Sequence, residues 1–500
     1  MHIPLLASFA ALCSCLLVVC AQVNSNQWPN RSGIVQLFEW KWNDIAAECE
    51  RFLAPMGYGG VQISPPTENA IVLQPFRPWW ERYQPMSYYL VTRAGTEAEF
   101  AQMVRRCNVV GVRVYPDIVL NHMAADTQHG GTGGSIANSA LASYPAVPYN
   151  ESDFHTNCAI SDSSQPIELR ECRLKGSPDL NQKSGWVQDR VVNLLNKLIT
   201  YGVAGFNIYA AKYMWPDDLQ TIYNRLANLS EEHGFAYGSR PFIIQSVVDM
   251  GVDGIAKYEY RPLGMVTELG HSHYLGYYFS GRKQLSDLRN WGRNWSFLSS
   301  ERAVVFVDDH INQRGLGSTK GFVLTHRDRK HYVMASAFML AFPYAIPRIM
   351  SSYDFSNNDQ GPPTDMYGNV ISPAIAPDGS CQGGWICEHR WNEIVNMIGF
   401  RNSVTGTEMS NWYDNGAYQI AFCRGNRGFV AFNLQGTDFD QTIQTCLPMG
   451  TYCDVISGNA NNGSCTGSAI QVDQNGTARI FIAGVGGYGA LAIHANSKLA

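Results

Sequence analysis

Short apolar runs alternate along most of the chain with longer segments of helical period. The runs Ile34–Phe38, Gly60–Ile63, Val112–Val119, Phe206–Ala210, Phe242–Gln245, Val304–Val307 and Pro347–Met350 are rich in β-branched and aromatic residues and read as buried strands. Between them, segments such as Asp189–Tyr201 and Tyr332–Ala341 read as helices. Strand–helix alternation predicts a parallel sheet, and this many units predict a (β/α)8 TIM barrel, an α/β fold.

Two stretches break the rhythm. Residues 121–180 follow the third strand, are rich in Gly, Ser and Asn, and read as a small inserted domain on the face where a barrel keeps its chemistry. From residue 407 to 500 the helical period disappears. Alternating strands and turns such as Asn461-Asn-Gly463 predict a C-terminal antiparallel β-sandwich. The barrel is then expected over 22–120 and 181–406.

Residues 1–21 read as a secretory signal: Ile3 to Cys20 is apolar, and Cys20-Ala21 is a small-residue cleavage site ahead of Gln22. A membrane anchor is the second reading, since the run is just long enough to span. No later stretch is long and uncharged enough to cross a membrane, so the expectation is a secreted, extracellular monomer. A net charge of −5 and the lack of long basic runs argue against nucleic acid or anionic membrane as partner. Of the 13 cysteines, Cys13, Cys15 and Cys20 fall in the signal, leaving an even set suited to an oxidising compartment. Zinc is the alternative, but CxxC spacing is missing. Sequons at Asn30, Asn150, Asn228, Asn294, Asn462 and Asn475 offer glycan sites.

Four strand-to-loop segments hold the candidate chemistry: Asp117-Ile-Val-Leu-Asn-His122, Gly205-Phe-Asn-Ile-Tyr-Ala-Ala-Lys-Tyr213, Gln245-Ser-Val-Val-Asp249 and Phe306-Val-Asp-Asp-His-Ile311. With Glu39-Trp-Lys-Trp42, Arg77-Pro-Trp-Trp-Glu-Arg-Tyr-Gln-Pro85, Met214-Trp-Pro216 and Asn312-Gln-Arg-Gly315, their order resembles the animal α-amylases of glycoside hydrolase family 13 along nearly the whole mature chain. In that family three of the segments bear the catalytic carboxylates. The resemblance places the Asp nucleophile at Tyr209, the Glu acid/base at Ser246 and the Asp stabiliser at Ile311. A phenol of ordinary pKa about 10 is a poor nucleophile, a serine cannot protonate a leaving alcohol, and an isoleucine cannot stabilise an oxocarbenium ion.

The rest is what the resemblance implies. Trp79, Trp80, Tyr83 and Gln84 match the sugar-stacking platform, which the loop context predicts to lie at the surface. His122, Lys212 and His310 match polar sugar contacts. Calcium ligands match the side chains of Asn121 and Asp179 and the carbonyls of Arg170 and Tyr213; an empty, hydrogen-bonded pocket is the alternative. The chloride ligands match Asn207, Asp309 and Arg348, where an Arg has become neutral and an Asn acidic. We therefore expect chloride to be absent and Asp309 to pair with Arg348 in bidentate fashion; the alternative is that the two never meet. Strand periodicity aims Asp309 and Ile311 to one side. Disulfides are implied at Cys49–Cys107, Cys158–Cys172, Cys381–Cys387 and Cys453–Cys465, leaving Cys423 and Cys446 for each other. The family carries His where this chain has Tyr213, and a longer His-bearing loop where it has Arg314-Gly-Leu-Gly-Ser-Thr-Lys-Gly321.

These substitutions predict an amylase-like protein without catalysis, a pseudoenzyme that keeps weak binding of α-glucan oligosaccharides. A glycosidase or transglycosidase with a rearranged site is the first alternative. A structural or protein-binding role without sugar is the second.

Overall fold

The computed structural model describes residues 22–292, 295–316 and 322–499. The proposed signal segment, the sequon at Asn294 and residues 317–321 therefore lie outside the described residues. Eight parallel strands close into a barrel in sequence order: β1 (Ser32–Leu37), β2 (Tyr58–Ile63), β3 (Arg113–Val119), β4 (Gly205–Tyr209), β5 (Phe242–Gln245), β6 (Met265–Thr267), β7 (Ala303–Val305) and β8 (Ile346–Ser351). β8 pairs with β1 through Ile34 and Arg348 to complete the ring. Nearly every strand residue is buried, because the barrel interior takes one face and the helices the other. That double burial is why the strands read as unbroken apolar runs. The sequence reading missed β6, whose three residues are too few to show a period. It also placed β7 two residues too long, since Phe306 and Val307 already belong to the loop that forms the site.

Helix boundaries follow local chemistry. The helix Glu97–Val109 begins with Thr96, whose side chain accepts from the Glu99 N–H while the Glu99 carboxylate accepts from the Thr96 N–H. Its buried face of Phe100, Met103, Val104 and Cys107 recurs at helical spacing, and Cys107 is bonded to Cys49 across the neighbouring helix. The helix expected over 189–201 spans Gly185–Thr200. The one expected over 332–341 spans Arg329–Ala341, starting where the Asp328 side chain caps the His331 N–H.

Between β3 and the helix Gly185–Thr200 the chain makes a long excursion with little regular structure. It is fastened by the Cys158–Cys172 disulfide and by bridges of His122 with Asp179 and Phe154 with Leu180. The C-terminal part holds a four-stranded antiparallel sheet of Met409–Asp414, Gln419–Arg424, Gly428–Asn433 and Ala490–His494. Strand alternation divides its side chains between two cores. Ile420, Phe422, Val430, Phe432 and Ala492 join the barrel's core; Ala421, Cys423, Phe429, Ala431 and Ile493 meet Phe439, Val472 and Ile480 of a second strand layer. All five expected disulfides are present, including Cys423–Cys446, Cys381–Cys387 and Cys453–Cys465. The five sequon asparagines among the described residues, Asn30, Asn150, Asn228, Asn462 and Asn475, are exposed. No helix among the described residues is long and apolar enough to cross a membrane.

Candidate active-site cleft

A cleft of ≈ 350 Å³ opens at the C-terminal ends of β4, β5, β7 and β8, where a parallel barrel gathers its loops. Tyr209, Ser246 and Ile311 all line it, together with Trp79, Asn207, Lys212, Tyr213, Asp309, His310 and Arg348. The chain thus brings the three substituted positions to one place.

Beneath the cleft sits Asp117 of β3, wholly buried. One carboxylate oxygen accepts from Gln62 Nε2 at 2.7 Å and Asn207 Nδ2 at 2.8 Å; the other accepts from the Tyr83 hydroxyl at 2.7 Å. Burial pushes its pKa up to about 6, with the hydrogen bonds and the Arg348 charge opposing. Ser246 is tied to the same network, donating from Oγ to Asn207 Oδ1 at 3.2 Å. It touches the carboxylate only through an amide.

Tyr209 ends β4, and the chain turns away through Ala210 in the left-handed region at φ 56°. Its ring lies against Tyr83, centroids 4.4 Å apart, and 6.4 Å from the His310 ring. Burial, followed by the nearby Tyr213, Asp117 and Asp309, raises the Tyr209 phenol above its ordinary pKa. It is therefore a neutral phenol, not a phenolate, at physiological pH.

The Asp309–Arg348 pair forms, with Arg348 Nη2 3.2 Å from Asp309 Oδ2. The expected bidentate contact does not. Arg348 Nη1 goes instead to Gln62 Oε1 at 3.0 Å, and Asp309 spends its other oxygen on the N–H groups of Ile311 and Asn312, at 2.9 and 2.8 Å. Asp309 and Ile311 both line the cleft, as expected, but not through strand periodicity, because β7 ends at Val305. Asp309 caps the turn that follows, and Ile311 lies within it.

The sugar-contact positions are only partly free. Trp79 and Tyr83 are 3% and 2% exposed, so neither is the surface platform expected; the Trp79 indole packs among Phe38, Tyr83 and His310 and donates to the Asn358 carbonyl, and the Tyr83 hydroxyl is spent on Asp117. Trp80 is half-buried and donates to Asp359 Oδ1 at 3.0 Å. Gln84 is engaged with the Ala125 N–H and Ser177 Oγ. His122 is buried with Nε2 on the Tyr83 carbonyl, and burial lowers its pKa to about 4. Lys212 is paired with Asp253, a residue that the sequence reading overlooked although it lies in the loop after β5. His310 alone keeps a ring nitrogen, Nε2, without a hydrogen-bond partner among the described residues; its Nδ1 accepts from Gln36 Nε2 at 2.9 Å. Asp249 is structural, accepting from the Gly251 and Lys257 N–H groups.

At the seam between the excursion and the barrel, Asn121 Nδ2 donates to Asp179 Oδ1 at 3.1 Å, and His155 Nδ1 lies 2.7 Å from Asp179 Oδ2. Asn121 Oδ1 is buried without a partner. Among the described residues no hydrogen bond reaches the Arg170 or Tyr213 carbonyl. The segments bearing those two meet through the Tyr260 hydroxyl, 3.0 Å from Arg170 Nη2 and 3.1 Å from the Lys212 carbonyl. Asn121 Oδ1 and the two carbonyls are hard oxygens of the kind calcium takes, while both Asp179 oxygens are engaged by Asn121 and His155.

Comparison with known proteins agrees with this architecture. Residues 410–496 match the profile described as "Alpha amylase, C-terminal all-beta domain". An α-amylase of Tribolium castaneum is 53% identical over 472 residues, covering 94% of this chain and 95% of that protein. An α-amylase-related protein of Drosophila willistoni is 51% identical over 490 residues, 98% of each. The crystal structure of wild-type α-amylase I from Eisenia fetida superposes with a TM-score of 0.89 at 41% identity, covering 94% of this chain and 98% of its own. A mutant of that enzyme, solved in complex with maltohexaose, matches equally. A barrel with the same C-terminal domain, and relatives that share half of its residues end to end, establish that the chain belongs to the α-amylase family.

Proposed function

We propose that this chain is a secreted α-amylase-like protein that does not hydrolyse glucans and retains weak α-1,4-glucan binding. The observation that supports this most strongly is the Tyr209 ring packed 4.4 Å from Tyr83. Retaining glycosidases place two carboxyl groups about 5 Å apart, one to attack the anomeric carbon and one to protonate the leaving oxygen. Here the attacking position is a neutral phenol, the proton-donating position is an alcohol committed to Asn207, and the stabilising position is a hydrocarbon.

The acids that line the cleft among the described residues are Asp253 and Asp309, and each is already paired, with Lys212 and Arg348. Neither is free to take up the missing roles. Asp117 keeps its proton longer than an ordinary carboxylate, but it lies beneath Tyr83 and Asn207, out of contact with the cleft.

Glucan binding would rest on Trp80, the half-buried aromatic residue of the 77–85 segment. Asn121 and Asp179, with the Arg170 and Tyr213 carbonyls, would hold a calcium ion. When bound, that ion supplies electrostatic cross-linking of excursion to barrel rather than catalysis. The five disulfides and exposed sequons suit an extracellular location. Calorimetric titration with maltoheptaose, beside a hydrolysis assay, tests the reading: binding without turnover supports it, turnover rejects it, and absence of both points to a scaffold that binds no sugar.

A further inference from the structure

The chain holds three Asn-Gly pairs, Asn415-Gly416, Asn462-Gly463 and Asn475-Gly476. Such a pair can react with itself, because a glycine nitrogen has no neighbouring Cβ to keep the asparagine side chain away. The attack needs a free amide N–H and an asparagine side chain able to swing onto it. All three asparagines are exposed, so hydrogen bonding decides among them.

Two of the pairs are tied down. The Gly416 N–H donates to Asp414 Oδ1 at 2.9 Å, and the Asn415 side chain is held at both ends. Its Oδ1 accepts from the Ala417 and Gln419 N–H groups, and its Nδ2 donates to Gln435 and Gln419. The Gly476 N–H donates to the Asp473 carbonyl at 3.0 Å. The Gly463 N–H has no partner among the described residues, and Asn462 makes no side-chain hydrogen bond among them. The pair forms the two-residue turn between strands Ala460–Asn461 and Ser464–Cys465, with Asn462 at φ 48° and Gly463 at φ 76°. A hairpin of two residue pairs costs little to open, and opening it lets the nitrogen reach the side-chain carbonyl carbon. A Cβ placed at Gly463 would meet nothing within 4 Å, so water has access to the turn.

We propose that Asn462 is a modification site at which the chain deamidates itself through a cyclic imide. Solvent base takes the Gly463 amide proton, and the nitrogen bonds to Asn462 Cγ as the Cγ–Nδ2 bond breaks. Nδ2 takes up a proton and leaves as ammonia. Water then opens the imide at either carbonyl, so the net change is gain of water and loss of ammonia. The products are aspartate and isoaspartate, the latter with the main chain running through the side-chain carboxyl carbon. Each adds a negative charge to the exposed turn. Each also consumes the Asn462-Gly-Ser464 sequon, whose glycan would use the same nitrogen. Cys465 stays anchored to Cys453 by its disulfide, so the change is confined to the turn.

The test is incubation of the intact wild-type protein, produced with N-glycosylation blocked, in mildly alkaline buffer. Peptide mapping by mass spectrometry, with a separate readout for isoaspartate, follows each site in time. The expected result is deamidation at Asn462 several-fold faster than at Asn415 or Asn475, with isoaspartate among the products. Gly463→Ala, which puts a methyl beside the attacking nitrogen, slows it by roughly tenfold or more. The turn has room for that methyl, and the ranking of the three sites needs no variant at all. Four results overturn the proposal: Asn462 unchanged, Asn415 or Asn475 reacting as fast or faster, aspartate formed without isoaspartate, or a Gly463→Ala rate equal to that of wild type.

Discussion

The ring of Tyr209 stands 4.4 Å from the ring of Tyr83 at the mouth of the barrel. Two aromatic rings at this separation fill the space between them. On the proposed non-hydrolytic reading, Tyr209 obstructs as well as disarms. Reversal at one position cannot be enough, because catalytic groups that act as a unit are strongly non-additive. Tyr209→Asp alone should leave maltoheptaose hydrolysis at background, since Ser246 still provides no acid. Tyr209→Asp with Ser246→Glu and Ile311→Asp is the smallest set expected to yield measurable turnover, with Asn207→Arg as a further requirement. Turnover by the single variant would show that one of the remaining groups already acts.

The Asp309–Arg348 pair predicts indifference to chloride. A carboxylate 3.2 Å from the guanidinium supplies internally the charge that a free anion would bring. Melting temperatures in chloride and in gluconate of equal ionic strength should coincide. Asp309→Asn combined with Asn207→Arg should introduce a saturable chloride dependence. Saturable dependence in the unmodified protein would contradict the internal pair.

Calcium is expected to matter for stability alone. A ligand that binds only the folded state adds about 4 kcal/mol at a thousandfold excess over its Kd. Chelation should lower the melting temperature of the wild-type protein, and Asp179→Ala should abolish that sensitivity. An unchanged melting curve in excess chelator, with no metal by elemental analysis, would refute the site.

Asp117 predicts a pH signature with a definite sign. Its folded pKa of about 6 lies above the ordinary value near 3.9, so the folded state holds the proton more tightly than the unfolded chain. The stability this contributes is present below about pH 4 and is lost as pH rises through about 6. Asp117→Asn does not titrate, so wild type should lose about 2–3 kcal/mol relative to it between those limits. Urea melts of both proteins across this range provide the comparison; parallel curves would show that the buried carboxyl is not perturbed.

How far the sequence revealed all this depended on the kind of feature. Strands buried on both faces announce themselves as apolar runs, which is why β1–β5, β7 and β8 were legible and the three-residue β6 was not. Tyr209 and Ser246 could be placed at the cleft because each lies at the end of a strand, whereas Ile311 reaches it from a turn beyond β7. Side-chain direction beyond the strand ends was not readable. Asp309 was assigned by strand alternation, but a turn governs it and divides its oxygens between Arg348 and two backbone N–H groups. Trp79 was assigned to the surface from its loop, yet Phe38, Tyr83 and His310 enclose it from separate strands and loops. The Lys212–Asp253 pair joins residues from loops after different strands, a relationship that neither local sequence contains.

The central claim is the absence of glucan hydrolysis, and a turnover assay of the purified wild-type protein on starch and maltoheptaose tests it most directly. The account predicts no reducing ends above background, at any chloride or calcium concentration. Clear hydrolysis that Tyr209→Phe abolishes would contradict it, and would make the Tyr209 oxygen the nucleophile.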